Sequence, residues 1–457
     1  MTGVKSIFEP ESVVLIGSSR IREKVGMTSP KMFDGVIYNM NKFFVGKTYV
    51  VDLEGNKGVK SIDELPKIPE MAVIMLPPNL AIEQAKICAQ NGVKALVLLI
   101  GGCMVAQHQE LLRLRKKFGI RILGPNTIMG VINTINGLNT IFHRDVMPLK
   151  GDIAVVSQSG GVGACLLDLA CCQEIGVSKF AFVGDKIDID DVDLLGYLSQ
   201  DENTKVICLY MEGLKRGREF IEVAREIVRT KPILVIKGGV TREAARRAMS
   251  HTASLVGSDV IFDAAFKKAG VIRVDDIEQL LNSAVVLSKQ PRLSGDNIAI
   301  ISNVGGPAIL AADAIVKNGL KLATLSEKTR LTIEKRFRGI EAVNPIDLIA
   351  DARKERYSIA LEAVLSDPNV DGVMVINMLK SCFFEPEDAL VIAEIADKHE
   401  DKPVVDVPAG GEDFISVQKV LRKTRIPVYN LPEKAAEAMG TLRIHNKKRK
   451  PRDSDLV

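Results

Sequence analysis

A chain of 457 residues has room for about two to four domains. A formal charge of only +4 and the absence of tryptophan argue against a broad polyanion-binding face and a base-stacking platform, so nucleic acid is not an expected partner. No apolar run approaches the ~20 residues needed to span a bilayer, and "MTGVKSIFEPESVVLIG" lacks a long apolar core followed by a cleavage site; the expectation is a cytoplasmic protein without membrane contact.

The first element is the strand of "SVVLIGSSR", which runs into a small-residue turn. Asp52, in "YVVDLEG", sits where a second strand should end and suggests a ribose-binding carboxylate. The turn Gly17-Ser18-Ser19-Arg20 is not a full GxGxxG, however, which disfavours a nicotinamide cofactor. The seven cysteines, from Cys88 to Cys382, form no CxxC pair, and several lie in apolar runs such as "VICLY". They read as small buried hydrophobes in a reducing compartment.

The next strand and turn, "DIAVVSQSGGVGACLLDLA", are followed by "KVICLYME", which ends on Glu212. Strands this uniformly apolar belong in parallel sheets covered by helices on both faces. "SQSGGVG" should open a helix. Its first-turn N–H groups have no intrahelical partner, the glycines let an anion approach, and Ser157 and Ser159 add hydroxyls. That is a phosphate cradle needing no lysine, although a tight strand-to-helix turn with a good cap would read the same way. No GxxxxGK[ST] run is present.

His251 follows, in "REAARRAMSHTASLVGSD", with Ser250 and Thr252 beside it and small residues beyond. A core histidine would have apolar neighbours, and a zinc ligand would have Cys or His partners at short spacing. An accessible imidazole facing an anion site, with a carboxylate to fix its tautomer, suits phosphorylation on nitrogen. Glu212, at a strand's C-terminal end, is the candidate orienting carboxylate.

"NIAIISNVGGPAILAADAI" then repeats the strand and glycine turn, with Val304, Gly305 and Gly306 in the turn and Pro307 suited to a first helical position. The correspondence extends onward. "LSQDENTKVICLYMEG" matches "LSDPNVDGVMVINMLK", "TKPILVIKGG" matches "DKPVVDVPAGG", and "AGVIRVDDIEQLL" matches "TRIPVYNLPEKAA". Two related α/β modules therefore follow an N-terminal α/β domain, with expected boundaries 1–145, 146–292 and 293–445 and a basic tail at 446–457. The later copy has no histidine, and its counterpart of Glu212 aligns as Leu379. One copy is expected to hold the chemistry.

"SQSGGVG", "YMEG" and "SHTASLVGSDVIFDAAFKKAGVIRVDDIEQL" resemble the nucleoside-diphosphate-forming acyl-CoA synthetases, relatives of succinyl-CoA synthetase. "GSSRIREKVG", "GPNTIMGVINTINGLNTIF", "SNVGGP" and "NPIDLIADA" extend the resemblance over about residues 4–440. Length and domain order are similar to the separate α subunits of ADP-forming acetate:CoA ligases.

The resemblance implies a Rossmann-like coenzyme A-binding domain followed by two flavodoxin-like parallel α/β modules. Coenzyme A would be held by Gly17, Ser18, Ser19 and Arg20, by Lys24, Val25 and Gly26, and by Pro77, Pro78 and Asn126. Phosphate would attack an acyl-CoA thioester, and His251, oriented by Glu212, would take the phosphoryl group from the acyl phosphate and pass it towards ADP. Ser157, Ser159, Gly160 and Gly161, with Val304, Gly305 and Gly306, would hold phosphate and phosphohistidine. Nothing resembles an ATP-grasp domain. ADP or ATP with Mg2+ is therefore expected on a separate β subunit of an α2β2 heterotetramer, with no metal or cofactor resident on this chain. The alternative is a non-catalytic coenzyme A sensor or scaffold of the same fold. Departures from the family pattern include "VVDLEGNKG", "HTAS" for "HTGS", and "VGDK" for "VGNK", which puts Asp185 in a role the sequence leaves open.

Overall fold

The computed structural model describes residues 2–20, 29–127, 129–241, 243–244 and 258–449. Lys24, Val25, Gly26 and His251 lie outside the described residues. The chain forms two compact units, Met1–Asp275 and Asp276–Val457, and the doubly wound α/β architecture expected from the sequence is present in both. No helix among the described residues is long and apolar enough to cross a membrane.

The first sheet of the N-terminal unit is parallel, in the order β2-β1-β3-β4-β5. Its strands are β1 (Ser12–Gly17), β2 (Lys47–Asp52), β3 (Met71–Ile74), β4 (Ala95–Leu98) and β5 (Arg121–Leu123). Successive residues of one strand feed two different cores. Val13, Leu15, Met71 and Val73 pack on one face, while Val14, Ile16, Ala72 and Ile74 pack on the other with Ala81, Ala85, Leu111 and Leu114 of the covering helices. A strand with no wet face has no position for a polar residue, so the sequence is continuously apolar.

The second sheet has the order β12-β11-β10-β8-β9-β6-β7. It is built from β6 (Val131–Asn133), β7 (Leu138–Asn139), β8 (Lys150–Ser157), β9 (Val177–Phe182), β10 (Val206–Met211), β11 (Ile233–Lys237) and β12 (Ile272–Arg273). Its strands are parallel except β6, which runs antiparallel to β9, and β7, antiparallel to β6. The chain thus joins this sheet at residue 131, ahead of the boundary expected at 145/146. Every residue of β9 is buried, and the short hairpin covers an edge that would otherwise present unpaired backbone groups.

The Asp276–Val457 unit holds a third sheet, ordered β14-β13-β16-β17 with β15 also pairing β13. The strands are β13 (Asn297–Ser302), β14 (Lys321–Leu322), β15 (Ile346–Asp347), β16 (Gly372–Asn377) and β17 (Val404–Pro408). Between β16 and β17 Asn377 Nδ2 donates to Asp406 Oδ1 at 2.7 Å. Asp406 Oδ2 and Asn377 Oδ1 have no partner among the described residues, and burial raises the Asp406 carboxyl to about 8.

In all three sheets the chain winds to one side of a central strand (β1, β8 and β13) and then crosses to the other. This places a topological switch point between β1 and β3, between β8 and β10, and between β13 and β16. Loops leaving the strand C-termini diverge there and open a crevice, the usual ligand position in such sheets.

Within the N-terminal unit, the segment after β9 runs alongside β5. Asp185, Ile187 and Ile189 donate backbone N–H groups to Pro125, Gly124 and Ile122 carbonyls at 2.9, 3.4 and 3.1 Å. The fully buried Asp188 carboxylate ties this track down, accepting from Arg121 Nε at 2.9 Å and Ile122 N at 2.8 Å and pairing with Arg115 Nε at 2.5 Å. Removing one partner of a buried ion pair strands the others. Asp188→Ala is expected to cost about 3 kcal/mol, read as a lower denaturation midpoint in urea with unchanged slope; a loss below about 0.5 kcal/mol, the scale of ordinary surface changes, would contradict it.

Candidate functional site

The crevice between β8 and β10 is built from the glycine turn upward. Ser159 caps the helix Gly160–Cys172: its Oγ accepts the Val162 N–H at 3.3 Å, and its carbonyl accepts the Gly163 N–H at 2.9 Å. The Gly160 and Gly161 N–H groups lie in the first turn, where the helix offers no acceptor. A side chain at Gly161 would meet only Ser159 Oγ, at 4.0 Å. Gly163 has a different reason to be glycine, since a Cβ there would lie 2.3 Å from the Phe182 ring. "GGVG" therefore combines two glycines for approach with one for packing. Ser157, expected to face phosphate, instead is fully buried and donates to the Ser159 carbonyl at 2.8 Å. Its hydroxyl is spent on shaping the turn.

Gln158 closes the floor of the crevice. Its Oε1 accepts the Glu212 and Gly213 N–H groups at 2.9 and 3.2 Å and the Lys186 ammonium at 2.9 Å. Lys186 is buried, with further bonds to Asp191 Oδ2 at 2.7 Å and the Gly213 carbonyl at 2.8 Å. Lys215 donates to the carbonyls of Asp185 and Lys186 at 3.0 and 2.7 Å. Burial, reinforced by the Lys186 charge, lowers the Lys215 pKa.

Glu212 stands just beyond β10. Tyr210 Oη donates to its Oε1 at 3.4 Å, while Oε2 is buried without a partner among the described residues. Burial and then the Glu212 charge push the Tyr210 hydroxyl up to about 12, so it stays a donor at neutral pH. Lys237, at the end of β11, is 96 % buried by the complement of its 4 % exposure. Its ammonium lies 4.6 Å from the centre of the Phe262 ring, and burial lowers its pKa against the opposing pull of Asp259. Lys237 and Phe262 flank the sequence that carries His251, and their contact brings the described residues on either side together at this edge. Two buried ammonium groups thus stand near a turn that the sequence suggested would work without one. Gln158, Lys186 and Lys237 were not identified beforehand. Lys237 is a single polar residue ending an apolar strand, while Gln158 and Lys186 lie in polar loops just after strands, and only the fold shows what each of them reaches.

The Asp276–Val457 unit repeats the turn. Ser302 Oγ donates to the Val304 carbonyl at 2.8 Å, and Asn303 Oδ1 accepts the Met378 N–H at 2.9 Å. A Cβ on Gly305 or Gly306 would meet nothing within 4 Å. Ser157 pairs with Tyr210 in one sheet and Ser302 with Ile376 in the other. The counterpart of Glu212 is therefore Met378, one residue before the Leu379 inferred from sequence. The conclusion that this copy lacks the carboxylate is unaffected.

At the β1/β3 crevice, a Cβ on Gly17 would lie 2.5 Å from the Phe33 ring, so Gly17 allows close helix packing. Ser18 Oγ accepts the Arg20 N–H at 3.3 Å. Asp52 accepts the N–H groups of Ser19, Glu54 and Asn56 at 3.0, 3.2 and 3.2 Å. Burial would raise its pKa, yet bonds led by Ser19 hold it below the usual carboxylate range. Asp52 thus braces the Gly17–Arg20 turn, and its oxygens are committed to backbone. Pro77 and Pro78 start the helix after β3. Asn126, in a left-handed conformation at φ 64°, donates to Asp185 Oδ1 at 3.3 Å. Among the described residues, no three His, Cys, Asp or Glu side chains gather as a metal-ligand set.

Comparison with known proteins follows this division. The "CoA binding domain" pattern matches residues 11–133, and that of the "Succinyl-CoA ligase like flavodoxin domain" matches residues 150–287. The chain is 35 % identical to the acetate–CoA ligase (ADP-forming) II subunit alpha of Pyrococcus furiosus, over 95 % of this chain and 96 % of that one. It is 32 % identical to the 4-hydroxybutyrate–CoA ligase (ADP-forming) of Nitrosopumilus maritimus, over 95 % of this chain and 63 % of that longer protein. The dinucleotide-forming acetyl-coenzyme A synthetase 1 of Ca. Korarchaeum cryptofilum, solved with phosphate and ADP, superposes with a TM-score of 0.90 at 31 % identity, covering all of both chains.

Proposed function

Because the chain belongs to the ADP-forming acyl-CoA synthetases, as an α-type subunit related to succinyl-CoA ligase, we propose how its residues divide the reaction. Coenzyme A occupies the β1/β3 crevice, held by the Gly17–Arg20 turn, Pro77, Pro78 and Asn126, with Lys24, Val25 and Gly26 assigned from the resemblance alone. Phosphate binds at Ser159, Gly160 and Gly161 and attacks the thioester carbon. The C–S bond breaks, giving acyl phosphate and coenzyme A. His251 then attacks phosphorus, the carboxylate leaves, and phosphohistidine forms for transfer to ADP. Gly305 and Gly306, with Val304, offer a second phosphate turn of the same design.

The observation that carries this reading is Glu212. A buried carboxylate oxygen is costly to leave without a hydrogen bond; Glu212 Oε2, which has no partner among the described residues, lies at a switch point beside a phosphate-type turn. An imidazole N–H of His251 would satisfy it and direct the other ring nitrogen at the phosphoryl group. Helix N–H groups and the nearby ammonium groups supply charge stabilisation that is already in place before the transition state forms.

The nucleotide, with Mg2+, is assigned to a separate ATP-grasp β subunit in an α2β2 assembly. The name of the Pyrococcus relative as a subunit alpha supports the separate partner. Relatives named for acetate and 4-hydroxybutyrate favour a short carboxylic acid as substrate, and their being enzymes favours turnover over the sensor alternative. The seven free cysteines suit a reducing, cytoplasmic setting.

The test is to supply the chain and its partner with labelled phosphate and a series of short acyl-CoAs. Acid-labile, base-stable label on the wild-type chain and none on His251→Ala is the expected result. Equal label on the variant would remove His251 from the pathway.

A further inference from the structure

Asp185, left without a role by the sequence, lies between the two chemistries of the N-terminal unit. Its Oδ1 accepts from Asn126 Nδ2 at 3.3 Å, on the coenzyme A side. Its neighbour Lys186 reaches Gln158, and through it Glu212, on the phosphate side. A side chain at Gly184 would lie 2.2 Å from the Pro125 carbonyl oxygen, so the two loops are in direct contact. Facing this junction is His108, in the second turn of the helix Val105–Phe118. His108 Nε2 is 3.3 Å from Asp185 Oδ2, within ion-pair range, but it makes no aligned hydrogen bond. The two side chains are 25 % and 20 % exposed, with His108 Nε2 itself buried against the carboxylate. The other titratable groups here are Cys103 and Lys215, the latter bonded to the Asp185 carbonyl.

On the functional reading above, the thioester must lie between the coenzyme A crevice and the phosphate turn, which is where this pair stands. We propose that His108 is the base that takes the proton from the coenzyme A thiol when acyl phosphate is converted to acyl-CoA, with Asp185 as its positioning residue. The S–H proton moves to the imidazole, sulfur bonds to the acyl carbon, and phosphate leaves with the C–O electron pair. In the opposite direction the same imidazolium returns the proton to the departing thiolate.

The surroundings explain the need for a base. Burial, followed by the Asp185 charge, pushes the Cys103 thiol up to about 11. A coenzyme A thiol entering the same surroundings meets the same bias towards the unreactive S–H form. General-base assistance by a positioned group typically contributes about 10²–10⁴-fold.

The proposal rests on the acyl phosphate pathway, and the experiment keeps the two separable. Full-length chain with its partner subunit is given coenzyme A and whichever of acetyl and butyryl phosphate the wild type uses faster, and acyl-CoA formation is followed from pH 6 to 9. His108→Gln should be about a hundredfold slower at pH 6.5. The deficit should shrink about tenfold per pH unit as the pH rises, because each unit gives about tenfold more thiolate formed without help. Asp185→Asn should show the same shape with about a tenfold deficit. Labelling of the chain by acyl [³²P]phosphate alone involves no thiol and reports whether each variant is folded. A labelled variant with no deficit, or with one independent of pH, overturns the role of His108. A wild type that takes no label but still forms acyl-CoA overturns the phosphohistidine step and leaves the His108 comparison intact.

Discussion

Glu212→Gln is expected to slow phosphorylation of the chain by about 10³-fold, roughly 4 kcal/mol of transition-state stabilisation. In the wild type Tyr210 holds Oε1, and Oε2 has no partner among the described residues. Glutamine keeps one oxygen, which Tyr210 claims, and turns an NH₂ group towards the imidazole. A donor there favours the tautomer whose reactive nitrogen carries hydrogen, and it removes the charge that would stabilise the developing imidazolium. Rapid-quench measurement of acid-labile label separates this from binding, because the apparent affinity for acyl-CoA should be unchanged. A rate within tenfold of wild type would mean that Glu212 does not orient the nucleophile.

Asp406→Asn should stabilise the chain at neutral pH, contrary to the usual effect of altering a fully buried side chain. The folded-state pKa of about 8 exceeds the ordinary 3.8, so between these values the unfolded chain has released a proton that the folded chain retains. Stability from this group is complete below about pH 4, declines as pH rises, and is flat above about pH 8. At pH 7 the loss amounts to a few kcal/mol, with about 4 as the upper bound at 1.36 kcal/mol per pH unit. Asparagine has no proton to release. It keeps the acceptor for Asn377 Nδ2 and brings an NH₂ group within reach of the unpartnered Asn377 Oδ1. Thermal melts at pH 5 and pH 8 should give a wild-type midpoint that falls with pH, and a variant midpoint that is higher at pH 8 and less dependent on pH. A variant less stable than wild type at pH 8 would mean that the carboxylate has a partner in solution.

The sequence made some of this legible for physical reasons. Strands buried on both faces are continuously apolar, and strand-to-helix turns at a crevice need small residues. Parallel sheets covered on both faces and the Ser159–Gly161 turn therefore followed from composition and repetition. Register was not legible. The sequence match of the repeats is out of step by one residue along β16 because a match by residue type has nothing to fix it, and only the pairing of Ser302 with Ile376 identifies Met378 as the counterpart of Glu212. Asp52 looked like a ligand because an acidic residue at a strand end has two uses, and the three backbone bonds it accepts decide between them. Lys186 and Lys237 carried no signal, since neither a lysine in an acidic loop nor one ending an apolar strand shows in the sequence which group it pairs with.

The hairpin at 131–139 bears on how such proteins can be divided and recombined. Strands β6 and β7 precede the composition boundary in sequence yet complete the sheet that follows it. A gene break near residue 145 would leave the phosphate module with β9, buried along its whole length, as a bare edge of unpaired backbone groups, an invitation to intermolecular pairing. Heredity therefore has to move that module from about residue 130 onward. The unit of exchange is offset from the unit of resemblance, and a swap designed on sequence similarity alone would be expected to yield aggregate.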